Sequence, residues 1–213
     1  MLENIELLNH NCIRFQKGNM IYSDPFQLKD FPHDADLILI THSHYDHFSE
    51  EDIKKVKNES TIIVITEDLY DKTMELGFKE DQIVKIKPNE KYKILGIEIE
   101  TIPAYNTKKL FHPKENNWVG YRFKLENTIY YIAGDTDITE ENKKIICDVA
   151  FLPIGGTYTM NAREAAELAN KIRPSIAVPV HYGSIVGTKQ DAESFVQSLE
   201  EGIEGKILTC HKK

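Results

Sequence analysis

The chain has 213 residues, of which 41% are hydrophobic, and this share is ample for a packed core and excludes a disordered protein. Its 34 acidic and 26 basic residues give a net charge of −8, which argues against binding nucleic acid by general attraction to phosphates. No apolar run approaches the roughly 20 residues needed to span a bilayer, so we expect no membrane as a partner.

The first half of the chain changes from hairpins to alternating strands and helices. Short apolar segments predict strands between residues 4 and 23, joined by a turn at Gly18-Asn19. Residues 37–40 predict a buried strand, because the run is apolar, β-branched and too short for a helix. The predicted elements that follow are a helix with N-cap Ser49 that runs to residue 57, a strand over residues 61–66 and a helix over residues 67–76 before Gly77.

The second half repeats this order. Its predicted strands cover residues 83–86, 92–95, 97–102, 119–125 and 128–132. The loop between the third and fourth of them, residues 103–117, is long enough to expect a function for it. Predicted helices over residues 139–146, 162–171 and 191–199 then alternate with strands over residues 149–152, 176–180 and 206–208. Because both halves share one plan without a linker, we expect one domain, residues 1–213, with two packed sheets and outer helices.

Four side chains of metal-ligating type lie within six residues, directly after the predicted strand of residues 37–40: His42, His44, Asp46 and His47. Side chains alternate along an extended segment, so His42 and His44 point to the same side, while Asp46 and His47 follow a turn and can face a second ion. Imidazole nitrogen and carboxylate oxygen suit zinc, iron or manganese. Since the whole chain has eight histidines, three of them in this segment predict a metal site rather than a chance cluster.

Asp135 and His181 each follow the C-terminal end of an apolar predicted strand. A carboxylate at Asp135 can bridge two ions, and His181 can add a nitrogen ligand. Taken alone, Asp135 is typical of a turn residue and His181 is as typical of a buried, hydrogen-bonded histidine. Both become candidate ligands because they can join the four residues of the first motif.

The segments H-S-H-Y-D-H, G-D-T and P-V-H-Y-G, in this order and spacing, resemble the metallo-β-lactamase superfamily over nearly the whole chain. Residues 153–160 and the helix that contains Glu164 resemble its compact branch of ascorbate-6-phosphate lactonase-like hydrolases. The resemblance implies an α/β protein with an αββα four-layer sandwich, in which helices flank two mixed sheets and metals lie at the open edge between the sheets.

The same resemblance implies a role for each candidate ligand. His42 and His44 would bind one ion, Asp46, His47 and His181 a second, and Asp135 would bridge the two. Asp24 would support the histidine loop from behind, although it can equally be a simple turn residue before Pro25.

The sequence departs from the superfamily at one ligand. Members supply a third histidine to the first ion from the loop before the G-D-T strand pair, and here Asn106 stands at that position. His112 lies six residues further along the same loop. Three outcomes follow: His112 is the ligand, Asn106 or water replaces it, or the first site is weak and one ion binds. An oxygen-rich first site would favour manganese or iron over zinc.

Several residues are candidates for binding substrate. His10, Tyr158 and Tyr182 can contact a substrate, or can have purely structural roles. The basic loop that contains Lys109 and Lys114 can bind an anionic substrate, or can simply be solvated.

The resemblance implies a metal-dependent hydrolase whose metal-bound hydroxide, oriented by Asp46 and Asp135, attacks an ester-type bond of a small molecule, a lactone or a phosphodiester. The cofactor would be one or two divalent ions, zinc first, with manganese or iron as alternatives. Two other functions stay open: a mononuclear iron enzyme similar to sulfur dioxygenases, and a catalytically weak metal-binding protein. The cysteines Cys12, Cys147 and Cys210 are odd in number and far apart, which predicts reduced thiols in a cytoplasmic protein. A homo-oligomer is compatible with the sequence.

Overall fold

The computed structural model describes residues 1–208, which form two mixed β-sheets with four α-helices. Among the described residues, 2–87 make one compact unit, and 88–208 together with Met1 make a second. The α/β class and the two mixed sheets with helices are thus confirmed. Of the three cysteines, Cys210 lies outside the described residues.

The first unit contains a six-stranded sheet. Its strands are β1 (Ile5–Asn9), β2 (Cys12–Lys17), β3 (Asn19–Ser23), β4 (Ala35–Leu39), β5 (Lys57–Thr66) and β6 (Ile83–Ile86), which are also their spatial order. The first three strands pair antiparallel, and the pairs from β3 to β6 are parallel. Helix α1 (Glu50–Val56) connects β4 to β5, and α2 (Tyr70–Glu75) connects β5 to β6.

Burial and capping explain why β4 and α1 form where they do. Leu37, Ile38 and Leu39 have no exposed surface, as expected for a parallel strand that is covered on both faces. The Ser49 hydroxyl accepts a hydrogen bond from the Asp52 N–H at 3.3 Å, and three acidic residues in the first turn suit the positive end of the helix dipole. The chain between β4 and α1 is therefore fixed at both ends, and it carries the histidine motif.

The second unit contains a seven-stranded sheet in the order β13–β12–β11–β10–β9–β8–β7. Its strands are β7 (Lys91–Ile94), β8 (Ile97–Pro103), β9 (Val119–Leu125), β10 (Thr128–Ile132), β11 (Val149–Pro153), β12 (Ile176–Val180) and β13 (Glu204–Gly205). The strands from β7 to β10 pair antiparallel, and those from β10 to β13 pair parallel. Helix α3 (Ala162–Ile172) connects β11 to β12, and α4 (Lys189–Gln197) connects β12 to β13.

Two predicted elements of the second unit differ in the structure. The predicted helix over residues 139–146 is only a 3₁₀ turn, Asn142–Lys144. The Thr139 N–H donates to Asn142 Oδ1 at 2.9 Å, and the Asn142 N–H donates to Thr139 Oγ1 at 3.0 Å. These reciprocal bonds have the form of a capping box, but the helical path ends at once because the backbone of Ile145 is extended. The last strand is Glu204–Gly205 rather than residues 206–208, because β12 pairs with it at those two positions.

The helices of residues 1–208 are all too short or too polar to cross a membrane.

Candidate metal centre

The histidine motif is supported by a buried carboxylate. Asp24 follows β3 and has no exposed surface. Its Oδ1 accepts from the Thr41 N–H, and its Oδ2 accepts from the Thr41 hydroxyl, both at 2.8 Å. Oδ2 also accepts from Asn11 Nδ2 at 2.7 Å and lies 2.8 Å from His47 Nδ1. Asp24 therefore holds both ends of the segment that carries the ligands, and it is more than a turn residue.

The bonds behind the histidines decide which ring nitrogens face away from the support. His47 Nδ1 contacts Asp24, and His42 Nδ1 lies 3.0 Å from Thr41 Oγ1. In both rings Nε2 is therefore the nitrogen that faces away from Asp24 and Thr41. His42 Nε2 lies 3.0 Å from His44 Nδ1, so these two side chains do meet, as the alternation of an extended segment predicts.

Asp46 lies between two imidazoles of the same unit. Its Oδ2 is 3.3 Å from His10 Nε2 and 3.6 Å from His47 Nε2, and all three residues are buried. His10 stands in the turn between β1 and β2 and packs its ring 5.9 Å from Phe26. The structure thus adds His10 to a histidine-loop cluster, which we define as His10, His42, His44, Asp46 and His47.

The second unit has its own group of ligand-type side chains, the Asp135 cluster, made of His112, Asp135 and His181. Asp135 comes after β10 and His181 comes directly after β12, two strands of the parallel part of the sheet. Carboxyl ends of parallel strands meet at one edge, where α/β proteins bind their ligands. Asp135 Oδ2 lies 3.0 Å from His181 Nε2 and 3.2 Å from His112 Nε2. All three side chains are almost completely buried.

The donor atoms of both clusters fit a divalent transition metal. A tetrahedral zinc ion with zinc–nitrogen bonds of about 2.0–2.1 Å separates neighbouring ligand atoms by about 3.3–3.4 Å. The closest donor pairs here are 3.0 Å apart for His42 and His44, and 3.0 and 3.2 Å apart around Asp135. Imidazole and carboxylate are also the ligand types that zinc, iron and manganese prefer. Both clusters therefore have the chemistry and spacing of metal ligands.

Glycine makes room for one of these histidines. A Cβ atom at Gly155 would lie 2.8 Å from the His181 carbonyl oxygen and 3.1 Å from His181 Nδ1. The first distance is shorter than side-chain carbons tolerate. Gly155, in the Gly155-Gly156-Thr157 loop after β11, is thus required where it stands by the close approach of His181.

Asn106 and His112 are joined to each other. The Asn106 N–H donates to the His112 carbonyl at 2.8 Å, and the His112 N–H donates to Asn106 Oδ1 at 3.0 Å. The same Oδ1 lies 3.1 Å from His112 Nδ1, and Asn106 Nδ2 donates to the Tyr158 carbonyl at 2.9 Å. Of the two residues, His112 is the one whose ring contacts Asp135.

The loop that carries His112 is anchored by Asp137, which the sequence reasoning missed. Its Oδ2 accepts from the Thr107 N–H at 2.9 Å, and its Oδ1 pairs with Lys109 Nζ at 2.6 Å. Burial alone would raise the pKa of Asp137, but the hydrogen bonds from Lys109 and Thr107 outweigh it and lower that pKa below the ordinary value of 3.8. The signal available in the sequence was the repeat of aspartate two residues after Asp135.

The remaining substrate candidates differ in their surroundings. Tyr158 is half-buried, and its ring packs edge to face on the Phe111 ring with the centroids 4.7 Å apart. Phe111 is the residue before His112 in the chain. Tyr182 instead packs against the apolar core of the second unit. Lys109 is paired with Asp137, and Lys114 is paired with Glu141 at 2.9 Å. Two lysines of the basic loop thus already have carboxylate partners.

Comparison with known proteins places the chain in a family. Residues 4–181 match the family described as the beta-lactamase superfamily domain. A UPF0173 metal-dependent hydrolase of Listeria welshimeri is 30% identical over 220 residues, covering 96% of either chain. One of Thermococcus kodakarensis is 31% identical over 217 residues, covering 96% of this chain and 95% of the relative. A crystal structure from Parabacteroides distasonis, provisionally described as a metal-dependent hydrolase, is 30% identical with a TM-score of 0.80, covering 96% of this chain and 91% of the other.

Proposed function

This chain belongs to the metal-dependent hydrolases of the metallo-β-lactamase superfamily, and we propose that it uses two divalent ions to hydrolyse an ester-type bond of a small molecule. The observation that carries the metal role is the support behind His47. Histidines that bind metals almost always give their other ring nitrogen to a carboxylate or carbonyl. The buried Asp24 lies 2.8 Å from His47 Nδ1 in just that way.

The proposed ligands follow the resemblance, with one choice made between its open alternatives. In the arrangement that the resemblance implies, His42, His44 and His112 would hold one ion, Asp46, His47 and His181 would hold the other, and Asp135 would be a ligand that both share. His112 is preferred to Asn106 because its ring lies 3.2 Å from Asp135 while the Asn106 amide is bonded to His112 and Tyr158. Three imidazoles on the first ion favour zinc over manganese or iron.

The chemistry divides between the ions and the side chains. Divalent ions supply Lewis acidity, which polarises a substrate oxygen and lowers the pKa of water. Asp46 is held beside His10 and His47, so it can accept the proton of the attacking water and deliver it to the leaving group. His10 keeps Asp46 in place and is also a proposed substrate contact.

The surroundings of the site favour a lactone over a phosphodiester. Lys109 and Lys114 are engaged with Asp137 and Glu141, so neither is at hand to neutralise a phosphate. In the loop just before His112, Leu110 is 92% exposed and Phe111 packs on Tyr158. These side chains offer a substrate an apolar surface. We propose Tyr158 as a substrate contact and assign Tyr182 a packing role.

We further propose a cytoplasmic location, which the buried free thiols of Cys12 and Cys147 suit. Burial raises the pKa of each thiol to about 12, so neither presents a reactive thiolate.

The first experiment is elemental analysis of the purified, untagged protein and of its His112→Ala variant. We expect two ions per chain in the native protein and one in the variant. His33→Ala is the matched control, because His33 is exposed and its ring contacts the Lys57 carbonyl at 3.0 Å rather than a ligand-type side chain. It should retain both ions.

Hydrolysis of a panel of lactones and of bis(p-nitrophenyl) phosphate then tests the reaction. We expect turnover of lactones that is lost on dialysis against a chelator and restored by zinc. Turnover that survives chelation would refute metal dependence. Native iron with oxygen consumption would instead establish the dioxygenase-like alternative.

A further inference from the structure

The Asn106 amide is fixed at both ends by backbone groups. Its Oδ1 accepts from the His112 N–H at 3.0 Å, and its Nδ2 donates to the Tyr158 carbonyl at 2.9 Å. A backbone N–H can only donate and a carbonyl can only accept, so these two bonds determine which end of the amide is oxygen. The oxygen therefore faces His112.

That orientation imposes a state on the His112 ring. Asn106 Oδ1 lies 3.1 Å from His112 Nδ1, and an amide oxygen has no hydrogen to give. The bond forms only when Nδ1 carries the hydrogen. In the neutral ring the lone pair then lies on Nε2, which is the nitrogen 3.2 Å from Asp135.

We propose that Asn106 is a positioning residue that holds His112 in the Nδ1–H tautomer, so that Nε2 can bind a metal ion. This deepens the proposed function, because it assumes the ligand role of His112. It also gives the departure at Asn106 a physical purpose. The asparagine is not a substitute ligand; it occupies the place behind the ligand that Asp24 occupies behind His47.

The loop geometry makes this arrangement rigid. The Asn106 N–H donates to the His112 carbonyl and the His112 N–H donates to Asn106 Oδ1, and these two bonds close the segment between the residues. Trp118 also packs its ring against the His112 ring at a centroid distance of 5.6 Å. Because the same Asn106 side chain also bonds Tyr158, the His112 ring is tied to the residue that we propose as a substrate contact.

The test compares Asn106→Ala and Asn106→Asp with the native protein. ¹⁵N NMR of the metal-free proteins at pH 9 reports the tautomer of His112, assigned with His112→Ala. We expect Nδ1–H in the native protein and in Asn106→Asp, which keeps an acceptor, and a population shifted to Nε2–H in Asn106→Ala. Zinc affinity, measured by competition with a chelator, should fall by about 10–100-fold in Asn106→Ala and by far less in Asn106→Asp.

Asn170→Ala is the matched control. The Asn170 amide also clamps a backbone carbonyl and N–H, those of Ser198 and Glu200, and the described structure gives it no histidine partner. It should leave zinc affinity within twofold of the native value. An unchanged His112 tautomer in folded Asn106→Ala, or an unchanged zinc affinity, would overturn the inference. Because the tautomer is read without metal, a native protein that binds no ion would refute the proposed function separately.

Discussion

Asp24→Asn tests the support behind the histidine loop. The carboxylate accepts from the Thr41 N–H on Oδ1, and on Oδ2 it meets the Thr41 hydroxyl, Asn11 Nδ2 and His47 Nδ1. If the amide nitrogen of the variant took the position of Oδ2, it would face the donor Asn11 Nδ2, and His47 could face it only without a hydrogen on Nδ1. If it took the position of Oδ1, it would face one donor, the Thr41 N–H. The second orientation is therefore the cheaper one, and it leaves one buried donor unpaired at a cost of about 1–3 kcal/mol.

Urea unfolding of the metal-free proteins measures this cost, and zinc affinity measures its consequence for the site. We expect the unfolding free energy to fall by about 1–3 kcal/mol. Zinc affinity should fall by about 10-fold, the lower end of the usual effect, because the amide oxygen still accepts from His47 Nδ1 but lacks the negative charge that makes the ring a more basic ligand. Asp36→Asn is the control, because Asp36 accepts one bond from the Met20 N–H at 2.7 Å and its amide can turn to keep it. A variant of Asp24 that matches this control in both measurements would refute the buttressing role.

Two further predictions concern the second unit. Asp137→Asn should destabilise the protein at pH 7. Because hydrogen bonds lower the folded-state pKa of Asp137, the difference in stability between the native protein and the variant should shrink as pH falls below about 4. Thermal unfolding measures this difference, and a difference that grows on acidification would contradict the ion pair with Lys109. Gly155→Ala should displace His181, since the new Cβ would lie 2.8 Å from the His181 carbonyl oxygen. The unfolding free energy should fall by about 1–3 kcal/mol, and the variant should bind one ion fewer than the native protein. Two ions retained by elemental analysis would show that His181 can move or is not a ligand.

The histidine motif was predictable because its ligands are local in sequence. His42 and His44 are two residues apart just after β4, so the alternation of an extended segment predicted their meeting, although residues 43 and 44 form a bend in the structure. The strand before them was equally clear, since an apolar run with β-branched residues leaves few alternatives. The two-sheet plan followed from the repeat of the same order of elements in both halves.

The Asn106–His112 pair was not predictable in the same way. The contact between these two residues, six apart in the chain, depends on a backbone hydrogen bond inside a long loop. It also depends on Asp137, which lies outside the loop and accepts hydrogen bonds from Thr107 and Lys109. Local sequence patterns carry no information about which carboxylate a loop will meet. The basic loop lysines were open to two interpretations for the same reason, because their partners Asp137 and Glu141 come from a later segment.

Backbone strain at the strand ends joins the fold to its chemistry. His10, Asp24 and His181 each stand directly after a strand, and each has a left-handed φ, of 49°, 42° and 59°. Such a conformation costs roughly 1–3 kcal/mol for residues other than glycine, and a glycine would adopt it without that cost. Yet each of these side chains is buried and contacts a ligand-type group, Asp46, His47 or Asp135. The residue type at these turns is therefore set by what the side chain binds, and the strain is retained because the contact outweighs it.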